Sequence, residues 1–343
     1  MNNYSKYSVK FLLFVLLLII FILINLSLGS VDIPLKSILY TLTGNDIAKE
    51  SWQYIILQYR VPKAITAVLV GSGLSICGLL MQTLFRNPLA GPFVLGISSG
   101  ASLGVAILVL GISIFSGSVA GMAFSNLGLA LAASLGAFFV LGAVMIVAKK
   151  VKNTMSILII GLMFGSFTAA IISVLAYFSS AENLQQYVFW TFGSLGNLGW
   201  NEIFILSIIY LLSISILLTI IKPLNSLLLG ENYAVSLGVN LKKTRNITLL
   251  VTGLLTGVIT AFSGPIAFIG LAVPHLTKLL IKTSNHRVLL PSVAVAGAIV
   301  MLISDTIAQL PNSEYSLPIN AVTSLFGAPI VIWLLVRKRK ISY

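Results

Sequence analysis

The side chains able to do chemistry are few and far apart. His275 and His286 stand eleven residues apart with no Cys, Asp or Glu close in sequence, so the ligand set of a metal site is missing. Cys77 is the single cysteine, which excludes an intramolecular disulfide and a cysteine-based metal cluster. No HExxH, no GxSxG and no GxxxxGK followed by Ser or Thr occurs, so the chain offers neither a recognisable hydrolase site nor a nucleotide site of its own. Asp305 is the only acid inside an apolar run, and an intramembrane charge is a functional candidate by default. It lies 17 residues beyond Val288. At ~1.5 Å per residue that is roughly 26 Å along a helix, against a hydrocarbon core about 30 Å thick. Asp305 is therefore expected near one membrane interface, in an interfacial or capping role rather than in a proton relay.

The elements that must position these groups are apolar helices. Of 343 residues, 58% are hydrophobic and only 8% charged, where a soluble domain carries about 25% charged residues. That balance, with a mean hydropathy of +1.05, excludes a water-soluble enzyme and a free nucleic-acid binder. The net charge of +13 belongs instead to loops on one side of a membrane. The uncharged run 11–28 exceeds the roughly 7–15 apolar residues of a cleaved signal peptide and is expected to be a retained first span. Further apolar runs follow near 64–84, 94–114, 119–148, 155–178, 202–221, 246–263, 265–281, 288–310 and 317–336. That predicts an all-α integral membrane protein of ten transmembrane helices, with 1–343 as a single domain. Pro88 and Pro92 predict a bent or re-entrant approach to the third span.

Charges orient the spans. With the N-terminus inside and each span crossing once, 17 of the 21 basic residues fall inside, and Lys36, Lys49, Arg60 and Lys63 outside. Six of the eight acids join the latter. The positive-inside rule then predicts cytoplasmic N- and C-termini. Glycines recur at helical spacing: Gly96, Gly100 and Gly104, Gly161 and Gly165, Gly253 and Gly257, Gly117 and Gly121. In lipid, such glycines let helix backbones approach closely; a tightly packed bundle is one consequence, and a dimer seam or moving gate another.

Several stretches occur in a characteristic order: Arg60-Val61-Pro62-Lys63, Arg86-Asn87-Pro88-Leu89-Ala90-Gly91-Pro92, Leu95-Gly96-Ile97-Ser98-Ser99-Gly100, Trp190-Thr191-Phe192-Gly193-Ser194, Leu237-Gly238-Val239 with Arg245, Gly264-Pro265-Ile266-Ala267-Phe268-Ile269-Gly270-Leu271 through Pro274-His275, His286-Arg287-Val288-Leu289-Leu290-Pro291, and Gly327-Ala328-Pro329. From about residue 55 onward the chain resembles the FecCD family, the permease subunits of ABC importers for iron–siderophore, haem and vitamin B12. Departures from the family pattern fall at Gln309, where relatives often carry a basic residue, at Ala267, and at Ser316 and Asn320.

The resemblance implies an ABC type II importer permease in the cell inner membrane. Its partners would be a second permease subunit, two ATP-binding cassette subunits holding ATP and Mg, a substrate-binding protein and an iron chelate as cargo, with no nucleic acid and no cofactor in this chain. It implies ATPase coupling through 222–245, at Gly230, Ala234, Leu237, Gly238 and Val239, the apolar members of that loop needing something to pack on. It implies a pathway and gate along the helix beginning near Thr154, with Ser156 and Ser166, and docking of the binding protein at Arg60 and Lys63. An ion- or proton-coupled secondary transporter is the alternative, but it would need several intramembrane ionisable groups.

Overall fold

The structure, a computed structural model, describes residues 3–44, 49–111, 125–151, 154–311, 313 and 315–336. Asp46, Lys152, Glu314, the tail from residue 337 and the Gly117–Gly121 pair lie outside them. The described residues form helices and connecting turns, with no strand among them. In chain order these are α1 (Asn3–Ser27), α2 (Leu35–Leu42), α3 (Glu50–Ile55), α4 (Val61–Leu84), α5 (Ile97–Val109), α6 (Asn126–Lys150), α7 (Thr154–Tyr177) and α8 (Ala181–Thr191). There follow α9 (Trp200–Leu218), α10 (Ile221–Leu227), α11 (Glu231–Ser236), α12 (Leu241–Ser263), α13 (Ile269–Ile281), α14 (His286–Ala308) and α15 (Ile319–Val336).

Seven helices among the described residues are long and apolar enough to cross a membrane: α1, the α3–α4 unit, α6, α7, α9, α12 and α14. Shorter apolar helices, α5, α13 and the apolar part of α15, stand where the sequence expects the remaining spans. Polar side chains start several of them. Ser125, Asn240 and Asn285 each accept a backbone N–H of the following first turn, supplying a partner for a donor that the helix itself cannot satisfy. Between α4 and α5 the chain runs irregularly past Pro88 and makes a short 3-10 turn at Pro92–Leu95, in line with the expected bend.

Backbone contact at glycine holds the bundle together. A Cβ at Gly78 would collide with the backbone of Gly270 and one at Gly71 with that of Gly297, so α4 lies directly against α13 and α14. Gly100 and Gly104 of α5 meet Gly136 and Ala132 of α6 in the same way, and Gly161 of α7 meets Val94 and Leu95. These glycines therefore serve packing within the chain. The most buried spans are α3–α4 and α12, whereas α1, α7 and α9 turn most of their side chains outward. Lys63 and Thr83 sit near opposite ends of α4, roughly 30 Å apart at 1.5 Å per residue, a bilayer's hydrocarbon thickness. Polar groups gather at these two ends.

Candidate functional site

At the Lys63 end, one carboxylate gathers three elements. Asp305 of α14 holds Lys63 Nζ at 3.1 Å through Oδ1. Its Oδ2 accepts the amides of Asn25 from α1 (2.9 Å) and of Gln309 (2.7 Å). The Asp305 side chain is 3% exposed and that of Lys63 26%, so the ion pair lies at the lip of a cavity of about 420 Å³ lined by Lys63, Arg60, Gln309 and Tyr315. Asp305 therefore bridges side chains of α1, α4 and Gln309 rather than capping a helix. Gln309 thus stands as an amide donor to the same carboxylate.

Arg60 corrects the sequence reading. The resemblance implies docking at Arg60 beside Lys63, which needs a cation within reach of a partner, yet Arg60 is buried, at 9% exposure. Its guanidinium donates to the carbonyls of Leu26 (2.6 Å), Ser27 (2.8 Å) and Val31. The last carbonyls of α1 have no intrahelical donor, and a cation is the favoured group there. A π-helical turn at Ile56–Arg60 presents the arginine. Pro62 follows it and cannot donate to the preceding turn, a local cause for such a widened turn. Lys63 alone of the two retains partial exposure.

The Thr83 end carries the expected coupling segment. Residues 222–245 hold two short helices, α10 and α11, ahead of α12. Ala234, expected from the sequence to need something outside the loop to pack on, is fully buried in its own chain, and Val239 packs half-buried on the core. Leu237 is 56% exposed, and with it stand Leu229, Tyr233 and Val235, which the sequence reading missed because short helices leave no periodic signal. Gly230 and Gly238 both have positive φ (113° and 79°), and nothing lies within 4 Å of a Cβ built on Gly238. Backbone conformation, rather than close packing within the chain, therefore requires glycine there. An open cavity of about 930 Å³ is lined by Gly230, Tyr233, Arg86 and Met155.

Arg245, at the start of α12, donates to the carbonyls of Ala148 (3.1 Å) and Val151 (3.3 Å), clamping the end of α6 just ahead of α7. On α7, the side chain of Thr154 lies outside the described residues. Ser156 is half-buried and Ser166 exposed, its hydroxyl donating to Leu162 O at 3.2 Å. Apart from Ser166 and Ser173, the outward face of this helix is largely apolar, with Ile159, Met163, Phe167 and Tyr177. His286, absent from the expected site, is buried at this end and bonded at both ring nitrogens.

Long apolar helices, a buried glycine-packed centre and charged groups near the helix ends define a multi-pass α-helical membrane protein. The sequence matches the FecCD transport family over residues 17–337, and the chain belongs to that family. It is 36% identical over 326 residues to the vitamin B12 import system permease protein BtuC of Klebsiella pneumoniae subsp. pneumoniae, covering 94% of this chain and 92% of that one. To the BtuC protein of Salmonella typhi it is 37% identical over 292 residues, covering 84% and 85%. A solved structure described as an inward-facing conformation of a metal-chelate type ABC transporter superposes with a TM-score of 0.83 at 31% identity, over 96% of this chain and 99% of that one. The PsaBC complex from Streptococcus pneumoniae shares the fold, with a TM-score of 0.53 at 13% identity over 88% of this chain.

Proposed function

We propose that this chain is the permease subunit of an ABC importer carrying a metal chelate of the iron–siderophore, haem or corrinoid type. It crosses the membrane ten times as a single domain with both termini cytoplasmic. The observation that carries this reading is the family match over nearly the whole chain, joined to an exposed apolar step at Leu229, Tyr233, Val235 and Leu237 at the end where the basic loops gather. A separate ATP-binding cassette subunit, holding ATP and Mg, docks on that step; a second permease subunit packs on the apolar face of α7, with Thr154, Ser156 and Ser166 along the route; a binding protein delivers cargo at the Lys63 end. An ion-coupled carrier would need free ionisable groups inside the bundle, and the engagement of Asp305 with Lys63 weighs against it.

The test is purification of the chain with its ATPase subunits and uptake of cyanocobalamin and a ferric hydroxamate into vesicles, driven by ATP and binding protein. Gly238 supplies the specific check. Its left-handed backbone tolerates asparagine better than other side chains, so Gly238→Asn should keep uptake. Gly238→Arg should lower it roughly tenfold, equivalent to about 1.4 kcal/mol, with insertion unchanged. Equal uptake in both would remove the loop from the coupling role.

A further inference from the structure

One hydrogen-bonded chain at the Thr83 end crosses three elements, α10, α14 and α4. Asn225 of α10 accepts at a single oxygen, Oδ1, from the backbone N–H of His286 at 2.8 Å and lies 2.8 Å from the ring Nδ1. The other ring nitrogen, Nε2, is 2.9 Å from Thr83 Oγ1 of α4. The amide cannot be turned over, because its Nδ2 donates to Asn285 Oδ1 at 3.1 Å, and that oxygen is itself fixed by accepting the N–H of Arg287 at 3.0 Å.

Donor and acceptor roles follow. Asn225 Oδ1 can only accept, so Nδ1 carries the hydrogen, and the neutral ring presents Nε2 as an acceptor to the Thr83 hydroxyl. That hydroxyl also lies 2.9 Å from the Leu79 carbonyl of its own helix, so it can swing between an interhelical and an intrahelical partner. His286 is 1% exposed, which keeps water from competing for either ring nitrogen. Apolar packing by Leu224 and Leu227 would let a seven-residue helix slide; directional bonds fix its register on α4 and α14.

We propose that Asn225, His286 and Thr83 form the joint that passes movement of the α10–α11 segment into α4 and α14, with His286 as its positioning residue. This rests on the reading of that segment as the ATPase docking site. Because Lys63 and Asp305 occupy the far ends of the same two helices, a displacement entering at Asn225 reaches the opposite end of the bundle as a movement of the ion-paired helix pair.

The test uses the full complex with its ATPase subunits in lipid nanodiscs, in a Cys77→Ala background. Spin labels at Ser313→Cys and Tyr177→Cys read the far-end distance with and without ATPγS, and Leu237→Cys is cross-linked separately to the ATPase. Two neutral hydrogen bonds are lost in His286→Ala and three in Asn225→Ala. The ratio of ATP-shifted to unshifted populations should fall about tenfold in both, and in the same direction in Thr83→Val. Asn225→Asp keeps both acceptor contacts but turns a carboxylate oxygen toward Asn285 Oδ1, so it should restore the shift in part, above that of Asn225→Ala, a rescue that a purely structural role would not require. A full shift in the alanine and valine variants, with the Leu237 cross-link intact, overturns the joint and leaves the docking reading standing. Absence of the cross-link in the otherwise unaltered chain overturns both. If His286→Ala does not fold, Thr83→Val and Asn225→Asp decide the matter, and an undiminished shift in Thr83→Val is sufficient to reject the joint.

Discussion

Replacing Asp305 by alanine removes one ion pair and two amide hydrogen bonds at once. Hydrogen bonds to a charged group contribute about 1.5–3 kcal/mol each, but two of the three partners are not stranded. Asn25 Nδ2 keeps Thr306 Oγ1 at 3.0 Å, and the Lys63 ammonium, 26% exposed, can turn into the water of the 420 Å³ cavity beside it. The loss should therefore be about 2–4 kcal/mol, at or below the roughly 3–5 kcal/mol for breaking a fully buried pair. Cys77 supplies the assay, being the single cysteine and fully buried. A fluorogenic maleimide reacts with it only as the bundle opens. At about 2 °C per kcal/mol for a large domain, Asp305→Ala should melt about 4–8 °C below the unaltered chain. The double variant Lys63→Met, Asp305→Ala should lose less than the sum of the singles by about 1–2 kcal/mol. A melt within about 1 °C of the unaltered chain, or strict additivity, would refute the hub.

Two further outcomes are expected. Gly78→Ala drives a methyl into the Gly270 backbone and should cost about 1–3 kcal/mol in the same thiol melt, whereas Gly142→Ala, with open space around its Cβ, should be neutral; equal melts would contradict the backbone-contact packing. For the proposed orientation, Ser313→Cys in a Cys77→Ala background should react with an impermeant thiol reagent from outside and Ser284→Cys should not, the reverse labelling overturning the inside assignment of the basic loops.

The span positions were legible because a bilayer imposes one length on every apolar run, and Asp305 was legible as an oddity for the same reason. What the sequence could not convey is pairing over distance. Arg60 reads as a surface cation beside Lys63, and only the placement of the end of α1, 34 residues earlier, turns it into a helix cap. His286 reads as half of an implausible metal pair; its true neighbours lie 61 and 203 residues away. The α8, α10 and α11 helices are too short for their apolar residues to declare a period. Ala234 and Leu237 accordingly looked equivalent, though one is buried and the other exposed.

The Asn25–Asp305 bond spans 280 residues of sequence, and this dictates an order of biosynthesis. While the chain emerges, α1 and α4 are inserted long before α14 exists. Lys63 must wait at the water-facing edge without its carboxylate, while Arg60 already grips the last carbonyls of α1. When α14 arrives, its carboxylate reaches two waiting donors on two helices and closes the assembly like the last stitch of a seam. A chain truncated before residue 305 would keep most of its apolar spans and still be unable to lock the first helix in place.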